Sequence, residues 1–258
     1  MDDKPDYGTW IRLQKILIFY FLSIFLILLF LITNIFVLRI ALLLSALPFI
    51  YISFILSYTY YQFSSRGGNY QYKIHNVIVE KLAPKDDAEI LDIGSGSGAL
   101  LINLAKKYPN AKYTGIDYWG DDWEYSKKQC ERNAQREGVD GQIKFIKSTA
   151  SSLPFEAASY DYMVSCLTFH EVNDEPDKSK VIGEALRVLK PGGRFVFLDL
   201  FANTKVFGKI DELERKLKND LGVADIQISG INKEINLPKL LLGKQSLGYA
   251  MIISGMKV

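Results

Sequence analysis

The distribution of apolar residues divides the chain into two parts with different patterns. Residues 16–38 form a run of 23 positions without a charged side chain, and after Arg39 residues 40–58 add another 19. About 20 apolar residues are enough for a helix to cross a bilayer, whereas the apolar core of a signal peptide has only about 7–15. The pattern predicts two transmembrane helices, about residues 16–36 and 40–58. One spanning helix followed by an interfacial helix is the alternative.

Basic residues around these runs predict the orientation of the helical hairpin. They are Lys4, Arg12 and Lys15 before it, Arg66 and Lys73 after it, and Arg39 in the turn. Basic flanks tend to stay on the cytoplasmic side of a membrane. Both ends of the hairpin are therefore predicted to lie in the cytosol, with the rest of the chain facing the cytoplasm.

From residue 67 onward, short apolar runs alternate with segments of helical periodicity. The chain is long enough for one ordinary α/β domain in addition to the apolar helices, and such alternation fits one. The boundary is predicted at residue 66, which gives a membrane anchor over 1–66 and a globular domain over 67–258. The pattern predicts strands at about 90–93, 112–117, 142–147, 160–167, 194–200, 224–231 and 247–255, and helices at about 72–82, 99–107, 124–138, 178–189 and 211–219.

The composition of the globular part excludes some classes of function. Residues 67–258 hold 26 basic and 26 acidic side chains, and a nucleic-acid partner would require a basic excess or patch. No nucleic acid is therefore predicted as a partner. Cys130 and Cys166 are the only cysteines and the chain has two histidines, so the sequence offers neither a disulfide framework nor a zinc spacing. No metal is predicted.

Residues 89–101 contain the most informative motif of the chain. An apolar run leads into Gly94, Gly96 and Gly98, and a helical segment follows. A strand, a glycine turn and a helix allow a ligand to approach the backbone closely, because glycine has no Cβ. The spacing also fits the dinucleotide fingerprint. However, Asp92 precedes the glycines, and a carboxylate there suits a neutral or cationic ligand better than a pyrophosphate.

A second motif decides which family the glycine loop resembles. Residues 187–199 have a helix end, the turn Lys190-Pro-Gly-Gly193 and an apolar strand. Together with the glycine loop, this segment resembles the class I S-adenosylmethionine-dependent methyltransferases, in particular the branch of quinone-biosynthesis and small-molecule methyltransferases. The resemblance covers about residue 72 to the C-terminus. It implies a Rossmann-like, doubly wound α/β fold with a mostly parallel seven-stranded sheet and an antiparallel last strand, preceded here by the two transmembrane helices.

The resemblance also implies that the cofactor is S-adenosylmethionine and indicates where it binds. Asp117, at the end of the second predicted strand, is expected to accept both ribose hydroxyls, with a helix N-cap as the alternative. Tyr118 and Trp119 are expected to pack on the adenine or, alternatively, in the core. The predicted cofactor-binding residues are Asp92, Gly94, Ser95, Gly96, Gly98, Asp117, Tyr118, Trp119, Thr149, Ala150 and Ser165.

One position departs from the family pattern. The family often has an aspartate just before the alanine of the adenine-reading segment, whereas this chain has Thr149 before Ala150. A hydroxyl accepts a hydrogen bond from the adenine amine more weakly than a carboxylate does. Looser cofactor binding is the expected consequence.

His170 is the predicted catalytic residue. It follows the fourth predicted strand, and ligands of open parallel sheets bind at the carboxyl ends of the strands. Its unperturbed pKa suits a general base. A positioning role or a structural polar contact is the alternative, and Glu171 is a weaker candidate for the base.

Three functions fit these features. The leading hypothesis is a membrane-anchored methyltransferase that acts on a lipophilic small molecule, either quinone-like or a lipid. The second keeps the enzyme class but gives it a soluble substrate, with the anchor used only for localisation. The third is a non-catalytic cofactor-binding module of a membrane complex.

Overall fold

The structure, a computed structural model, describes residues 4–120, 125–244 and 246–258. The chain forms two compact units. One comprises Gly8–Gln71, and the other combines the segment that ends at Tyr7 with Tyr72–Val258. The predicted boundary at residue 66 thus differs from the observed division at both ends of the helical unit. The assignment of these units to an anchor and a catalytic domain stays a prediction.

The helical unit contains two long apolar helices, α1 (Leu13–Ile32, 20 residues) and α2 (Phe36–Phe63, 28 residues). Among the described residues, these are the helices long and apolar enough to cross a membrane. Their large apolar side chains are mostly exposed. The helices pack against each other, with the rings of Phe19 and Phe49 6.2 Å apart. Ser23, Ser53 and Thr59 lie buried, and each donates its hydroxyl to the carbonyl four residues earlier.

The segment between α2 and the next helix forms a hydrogen-bonded turn. The amides of Gly67 and Asn69 both donate to the carbonyl of Ser64, at 3.1 and 3.2 Å. A Cβ at Gly67 would lie 2.0 Å from the carbonyl oxygen of Tyr61, so the turn requires glycine there. Helix α3 (Tyr70–Leu82) follows directly.

The second unit is built on a sheet that has seven strands within the described residues. Its strand order is β3-β2-β1-β4-β5-β7-β6. All neighbouring strands pair in parallel except β7, which is antiparallel to both β5 and β6. The predicted fold class is therefore confirmed. The strands are β1 (Glu89–Ile93), β2 (Lys112–Asp117), β3 (Ile143–Lys147), β4 (Tyr160–Cys166), β5 (Leu189–Asp199), β6 (Val223–Gly230) and β7 (Met251–Lys257).

Helices connect β1 to β2, β2 to β3 and β4 to β5, whereas the connection from β3 to β4, all of it within the described residues, contains no helix. The helices after α3 are α4 (Ala99–Lys107), α5 (Lys127–Arg136), α6 (Lys178–Val188), α7 (Thr204–Phe207), α8 (Ile210–Asn219) and α9 (Ile231–Glu234). The core joins residues of β1, β4 and β5 to the apolar faces of α6 and α8. Within it, the rings of Phe195 and Phe197 stack with their centroids 4.6 Å apart, and the ring of Phe169 meets Phe197 edge-on at 5.0 Å. This packing supports the loops at the carboxyl ends of β1 and β4.

The Lys190–Gly193 segment was predicted as a turn that precedes a strand, but it lies inside β5. Tyr160 pairs with Leu189 and Tyr162 pairs with Arg194, so β5 bulges between these positions. A Cβ at Gly193 would lie 2.9 Å from the carbonyl oxygen of Asp161. The glycines therefore permit a wide bulge against β4.

The N-terminal segment binds the surface of α5. The side chain of Asn133, which is 1% exposed, forms hydrogen bonds with both backbone groups of Asp6. Its oxygen accepts from the amide of Asp6 at 2.8 Å, and its NH2 group donates to the carbonyl of Asp6 at 2.7 Å. Gln129 donates to the same carbonyl at 2.8 Å. The Asn133 amide also donates to the carbonyl of Ser97, in the glycine loop, at 3.0 Å. Removing residues 1–66 would therefore also remove contacts of the second unit, and experiments require the full chain.

Candidate functional site

The glycine loop between β1 and α4 forms the centre of the candidate site. Gly94, Gly96 and Gly98 all have positive φ values, of 81°, 53° and 81°. A Cβ at Gly94 would lie 1.9 Å from the hydroxyl oxygen of Thr168. Glycine is thus required both by the backbone conformation and by the close packing of the loop that follows β4.

The loop amides are already used inside the protein. The N–H groups of Gly94 and Ser95 donate to the carbonyl of Ile116 at 2.8 and 2.9 Å, and that of Gly98 donates to the carbonyl of Ser95. The N–H of Gly96 donates to the Asp117 carboxylate at 2.8 Å. These amides do not form the anion cradle that a pyrophosphate requires.

Asp92 is a buried carboxylate without a hydrogen-bond partner in the part of the chain that the structure describes. Its side chain is 1% exposed, and neither oxygen accepts a hydrogen bond from any described residue. Burial raises the pKa of Asp92 to about 7, the nearby Ser95 side chain partly opposes this rise, and the negative charge of Asp117 adds to it. A buried acceptor with no partner is costly to the fold, and a bound cation would satisfy it.

Asp117 joins the end of β2 to the glycine loop. Its Oδ2 accepts from the amide of Gly96 and its Oδ1 from the amide of Trp119, each at 2.8 Å. Burial raises the pKa of Asp117, although these backbone bonds partly oppose the effect. The carboxylate also lines the adjacent cavity, where it can accept from a ligand hydroxyl.

A cavity of about 400 Å³ opens at the carboxyl ends of β2, β3 and β4. Of the predicted residues, it is lined by Gly94, Asp117, Tyr118, Thr149 and Ala150. Glu171, the weaker candidate for the base, lines the cavity as well. The remaining lining residues were not predicted from the sequence, and they are Ile116, Gly120, Ser148, Thr168, Val172, Asn173 and Asp174.

Tyr118 and Trp119 have different environments. Tyr118 lines the cavity and is 66% exposed, as expected of a side chain that covers a ligand. Trp119 instead donates its ring N–H to the carbonyl of Gly96 at 2.9 Å, and its ring meets Phe145 edge-on. Trp119 therefore supports the glycine loop, which agrees with the packing alternative rather than with adenine contact.

Ser165 and Ser95 do not line the cavity. Ser165 is fully buried and donates to the carbonyl of Ile93 at 2.9 Å, so it joins β4 to β1. Ser95 is 7% exposed and its hydroxyl faces the backbone carbonyl of Asp92. In this structure the two serines stabilise the loop, and a cofactor contact remains only a prediction for them.

His170 is held by a fully buried carboxylate. Its Nδ1 lies 2.6 Å from Oδ1 of Asp199, which is 0% exposed, and its Nε2 lies 3.4 Å from the Glu171 carboxylate. Burial alone would lower the pKa of His170, but the two carboxylates outweigh it and raise this pKa to about 9. His170 is then protonated at neutral pH, which is unfavourable for a general base. Its neighbours Thr168 and Glu171 line the cavity.

The comparisons with known proteins agree with this geometry. Residues 84–250, well over half of the chain, match the family model described as "Methyltransferase domain". The chain belongs to the class I S-adenosylmethionine-dependent methyltransferases.

Two curated relatives of this methyltransferase share part of its sequence. A ubiquinone/menaquinone biosynthesis C-methyltransferase of Rickettsia prowazekii is 36% identical over 120 residues, which cover 45% of this chain and 46% of that protein. A sterol 24-C-methyltransferase of Neurospora crassa is 26% identical over 196 residues, which cover 75% of this chain and 46% of that protein. The chain thus spans less than half the length of these relatives.

A solved structure supports the fold. A geranyl diphosphate C-methyltransferase from Streptomyces coelicolor, in complex with Mg²⁺, geranyl diphosphate and S-adenosyl-L-homocysteine, is 14% identical. It aligns with a TM-score of 0.58 over 73% of this chain and 79% of that chain. At this level of identity, the likeness concerns the fold alone.

The residues of the site fit S-adenosylmethionine, the cofactor of this methyltransferase. The Asp92 carboxylate, which is buried behind the cavity lining and accepts no hydrogen bond from a described residue, suits a ligand that carries a sulfonium and an ammonium group. The Asp117 carboxylate suits ribose hydroxyls, and the apolar wall formed by Ile116, Ala150 and Val172 suits a flat ring. Within the described residues, no group of three or more His, Cys, Asp or Glu side chains is arranged to hold a metal ion.

Gly94→Ala is expected to weaken S-adenosylhomocysteine binding by at least about tenfold, because the new methyl group collides with Thr168 in the cavity wall. Gly138→Ala is the matched control. Gly138 has a similar φ of 70°, but a methyl group there would meet no described atom within 4 Å. Both variants should lose about 1–2 kcal/mol of stability from the positive φ alone. Calorimetric titration should show weaker binding in the first variant only, and equal binding by both would contradict the role of Gly94.

Proposed function

We propose that this enzyme methylates a carbon atom of a lipophilic small molecule, quinone-like or sterol-like, while α1 and α2 anchor it in a membrane. The observation that carries the proposal is the pair of exposed apolar helices of 20 and 28 residues in the same chain as a methyltransferase fold. The names of the relatives, which are quinone-biosynthesis and sterol C-methyltransferases, support the substrate class. An anchor would concentrate the enzyme where such substrates partition.

The proposed roles of the residues follow from their environments. Asp92 and Asp117 hold the cationic and ribose parts of S-adenosylmethionine, and Tyr118 covers the cavity that receives its adenosine part. When bound, this cofactor supplies the electrophilic methyl group, so the protein mainly aligns the acceptor with it and excludes water. Thr168 and Glu171, the neighbours of His170 in the chain, line the cavity, which supports a role for that histidine near the proposed reaction site.

We propose a positioning role for His170 rather than the role of the base. A protonated imidazole has no lone pair to accept a proton. Its bonds to Asp199 and Glu171 instead fix the segment that carries Thr168 and Glu171 into the cavity wall. Removal of the imidazole should therefore disturb the placement of this wall and the charge beside it.

The experiment that tests the substrate class uses two populations of phospholipid vesicles. The full chain and a prenylated, demethylated quinol are placed in the same vesicles, or the quinol is placed in separate vesicles. Methyl transfer from radiolabelled S-adenosylmethionine should be at least about tenfold faster in the first case, because a shared membrane raises the effective concentration. Asp117→Ala, which should lose roughly 10- to 100-fold in cofactor affinity, shows that labelling depends on the site.

Two outcomes would contradict the proposal. Equal rates in the two arrangements would mean that the anchor does not deliver the substrate. The same radiolabelled cofactor can be offered with a cytosolic extract and with a sterol in vesicles. If the enzyme labels a component of the extract but neither the quinol nor the sterol, a soluble substrate is favoured, with the anchor used only for localisation.

We further propose that the catalytic unit faces the cytoplasm. The basic residues that flank the hairpin support this orientation. A cysteine at Arg39 should react with a membrane-impermeant reagent added outside intact cells, whereas a cysteine at Arg66 should not. The native Cys130 is buried but Cys166 is partly exposed, so both labelling variants also carry Cys166→Ser to remove its background. Labelling of the cysteine at position 66 but not of the cysteine at position 39 would show the opposite orientation.

A further inference from the structure

Asp174 brings a carboxylate to the place where this chain has threonine instead of an acidic residue. It belongs to the loop after β4 and lines the cavity. Its Oδ2 accepts the hydroxyl of Thr149 at 2.8 Å and the hydroxyl of Ser151 at 2.5 Å. Both hydroxyls belong to the segment that follows β3 and flank Ala150. They therefore fix the carboxylate beside the apolar part of the cavity wall.

The loop that carries Asp174 is itself held by a buried lysine. Lys178 is 9% exposed, and its ammonium group donates to the carbonyl of Val172 and to that of Glu175, the latter at 2.8 Å. These bonds enclose the stretch that contains Asp174. The bond from Ser151 is the main cause that lowers the pKa of Asp174, so the carboxylate is ionised at neutral pH. A fixed and ionised acceptor is suited to selecting a ligand that carries a donor.

Asp174, rather than Thr149, has the hydrogen-bonding capacity to accept a further donor at this part of the cavity wall. Thr149 and Ser151 both give their hydroxyl protons to the same carboxylate oxygen. An ionised carboxylate has about four lone-pair positions, so Asp174 retains capacity after these two bonds. The adjoining wall of Ile116, Ala150 and Val172 is apolar and accommodates a flat ring.

We propose that Asp174 accepts a hydrogen bond from the exocyclic amino group of the cofactor's adenine and thereby determines base specificity. This rests on the proposed binding of S-adenosylmethionine in the cavity. The carboxylate that the sequence lacks at position 149 is supplied from 25 residues further along the chain.

The test compares two ligands that differ at position 6 of the base and, as a consequence, at the neighbouring N1. S-adenosylhomocysteine carries a 6-amino group and an N1 without hydrogen, whereas S-inosylhomocysteine carries a 6-carbonyl oxygen, which a carboxylate repels, and an N1–H. Calorimetry on the full chain in detergent should show that the wild type prefers the adenosine compound by roughly 10- to 100-fold, the range of a charged hydrogen bond. Asp174→Asn should reduce this preference to about threefold or less, because an amide can also donate to the carbonyl.

A matched control and a rescue variant separate specificity from folding. Asp140→Asn changes an exposed aspartate at the start of a 3₁₀ turn, which does not line the cavity, and should leave the preference unchanged. The double variant Thr149→Asp, Asp174→Asn moves the carboxylate to the neighbouring position and should restore at least about tenfold preference.

The possible outcomes are distinguishable. Wild-type protein that binds neither ligand would overturn the proposed function and this inference with it. Tight binding of S-adenosylhomocysteine with the same preference in wild type and Asp174→Asn would overturn the inference alone. Loss of preference in Asp174→Asn without recovery in the double variant would also count against it, because a carboxylate at this edge would then not suffice.

Discussion

Replacement of Asp92 by asparagine is expected to stabilise the ligand-free protein and to weaken cofactor binding at the same time. The Asp92 carboxylate is buried without a partner among the described residues, and burial raises its pKa to about 7. In the unfolded chain the usual value near 4 applies. Between these two values the native protein keeps a proton that the unfolded chain has released. Stability of the wild type should therefore fall as the pH rises from about 4 to about 7, and then level off.

The difference between these pKa values corresponds to a penalty of about 4 kcal/mol at pH 8. The asparagine amide avoids the buried charge but is still left without hydrogen bonds, which retains part of the penalty. We expect Asp92→Asn to gain about 1–3 kcal/mol at pH 8 and little at pH 4. Thermal unfolding of the full chain in detergent, followed between pH 4 and pH 8, measures both values. A variant less stable than the wild type at pH 8 would contradict this account.

Asp161→Asn is the matched control, because it should lower the stability at neutral pH where Asp92→Asn raises it. Burial alone would raise the pKa of Asp161, but bonds from Lys190 at 2.8 Å and from the amide of Glu89 at 2.9 Å lower it. The stability from this ionised group is present at neutral pH and is lost as the pH falls through its lowered pKa. The variant should therefore lose up to about 1 kcal/mol at neutral pH, the range of a partly exposed pair.

Cofactor binding should be linked to the ionisation of Asp92. A cationic ligand favours the carboxylate and lowers its pKa, so binding at pH 6 should release a proton. The affinity of the wild type for S-adenosylmethionine should increase between about pH 6 and pH 8, whereas that of Asp92→Asn should be weaker and nearly independent of pH. Calorimetry in two buffers with different ionisation enthalpies counts the released protons. No release by the wild type would mean that the cation lies away from Asp92.

Those parts of the fold that depend on local pattern could be predicted from the sequence. Gly94, Gly96 and Gly98 follow a short apolar run, and this local signal specifies a strand and a tight turn. The last strand was predicted to begin at Leu247 but begins at Met251. Leu247 and Ala250 are buried apolar residues of a turn, and apolar character alone does not distinguish a buried turn from a strand.

Those parts of the site that depend on tertiary contacts could not be predicted. Asp174 reaches Thr149 across 25 residues, and Asn133 bonds to Asp6 across 127. No periodicity in the sequence marks such pairs. The pKa of His170 is a further example, since the residue type suggested a base near neutrality, and Asp199 on another strand changes its charge state.

The two histidines of the chain should titrate at opposite ends of the accessible pH range. Burial lowers the pKa of His75 to about 4, whereas Asp199 and Glu171 overcome burial and raise that of His170 to about 9. In ring NMR spectra of the full chain labelled at histidine, one signal should therefore move near pH 4 and the other near pH 9. His170→Gln removes one signal and thereby assigns both. A midpoint near 6.5 for His170 would restore it as a candidate base.

The raised pKa also predicts how stability and activity depend on pH. The stabilising effect of protonated His170 is complete below about pH 6.5 and is lost as the pH rises through about 9, a change of roughly 3 kcal/mol. Asp199→Asn should abolish this dependence and cost about 3–5 kcal/mol of stability, because the Asp199 carboxylate also accepts a hydrogen bond from the buried amide of Phe169 at 2.7 Å.

If His170 positions the cavity wall, methyl transfer should decline above about pH 9 in the wild type, and His170→Gln, which retains a donor, should keep more activity than His170→Ala. A base would instead produce a rise in activity as the pH increases through the pKa of His170, about 9, and both variants would lose this rise equally.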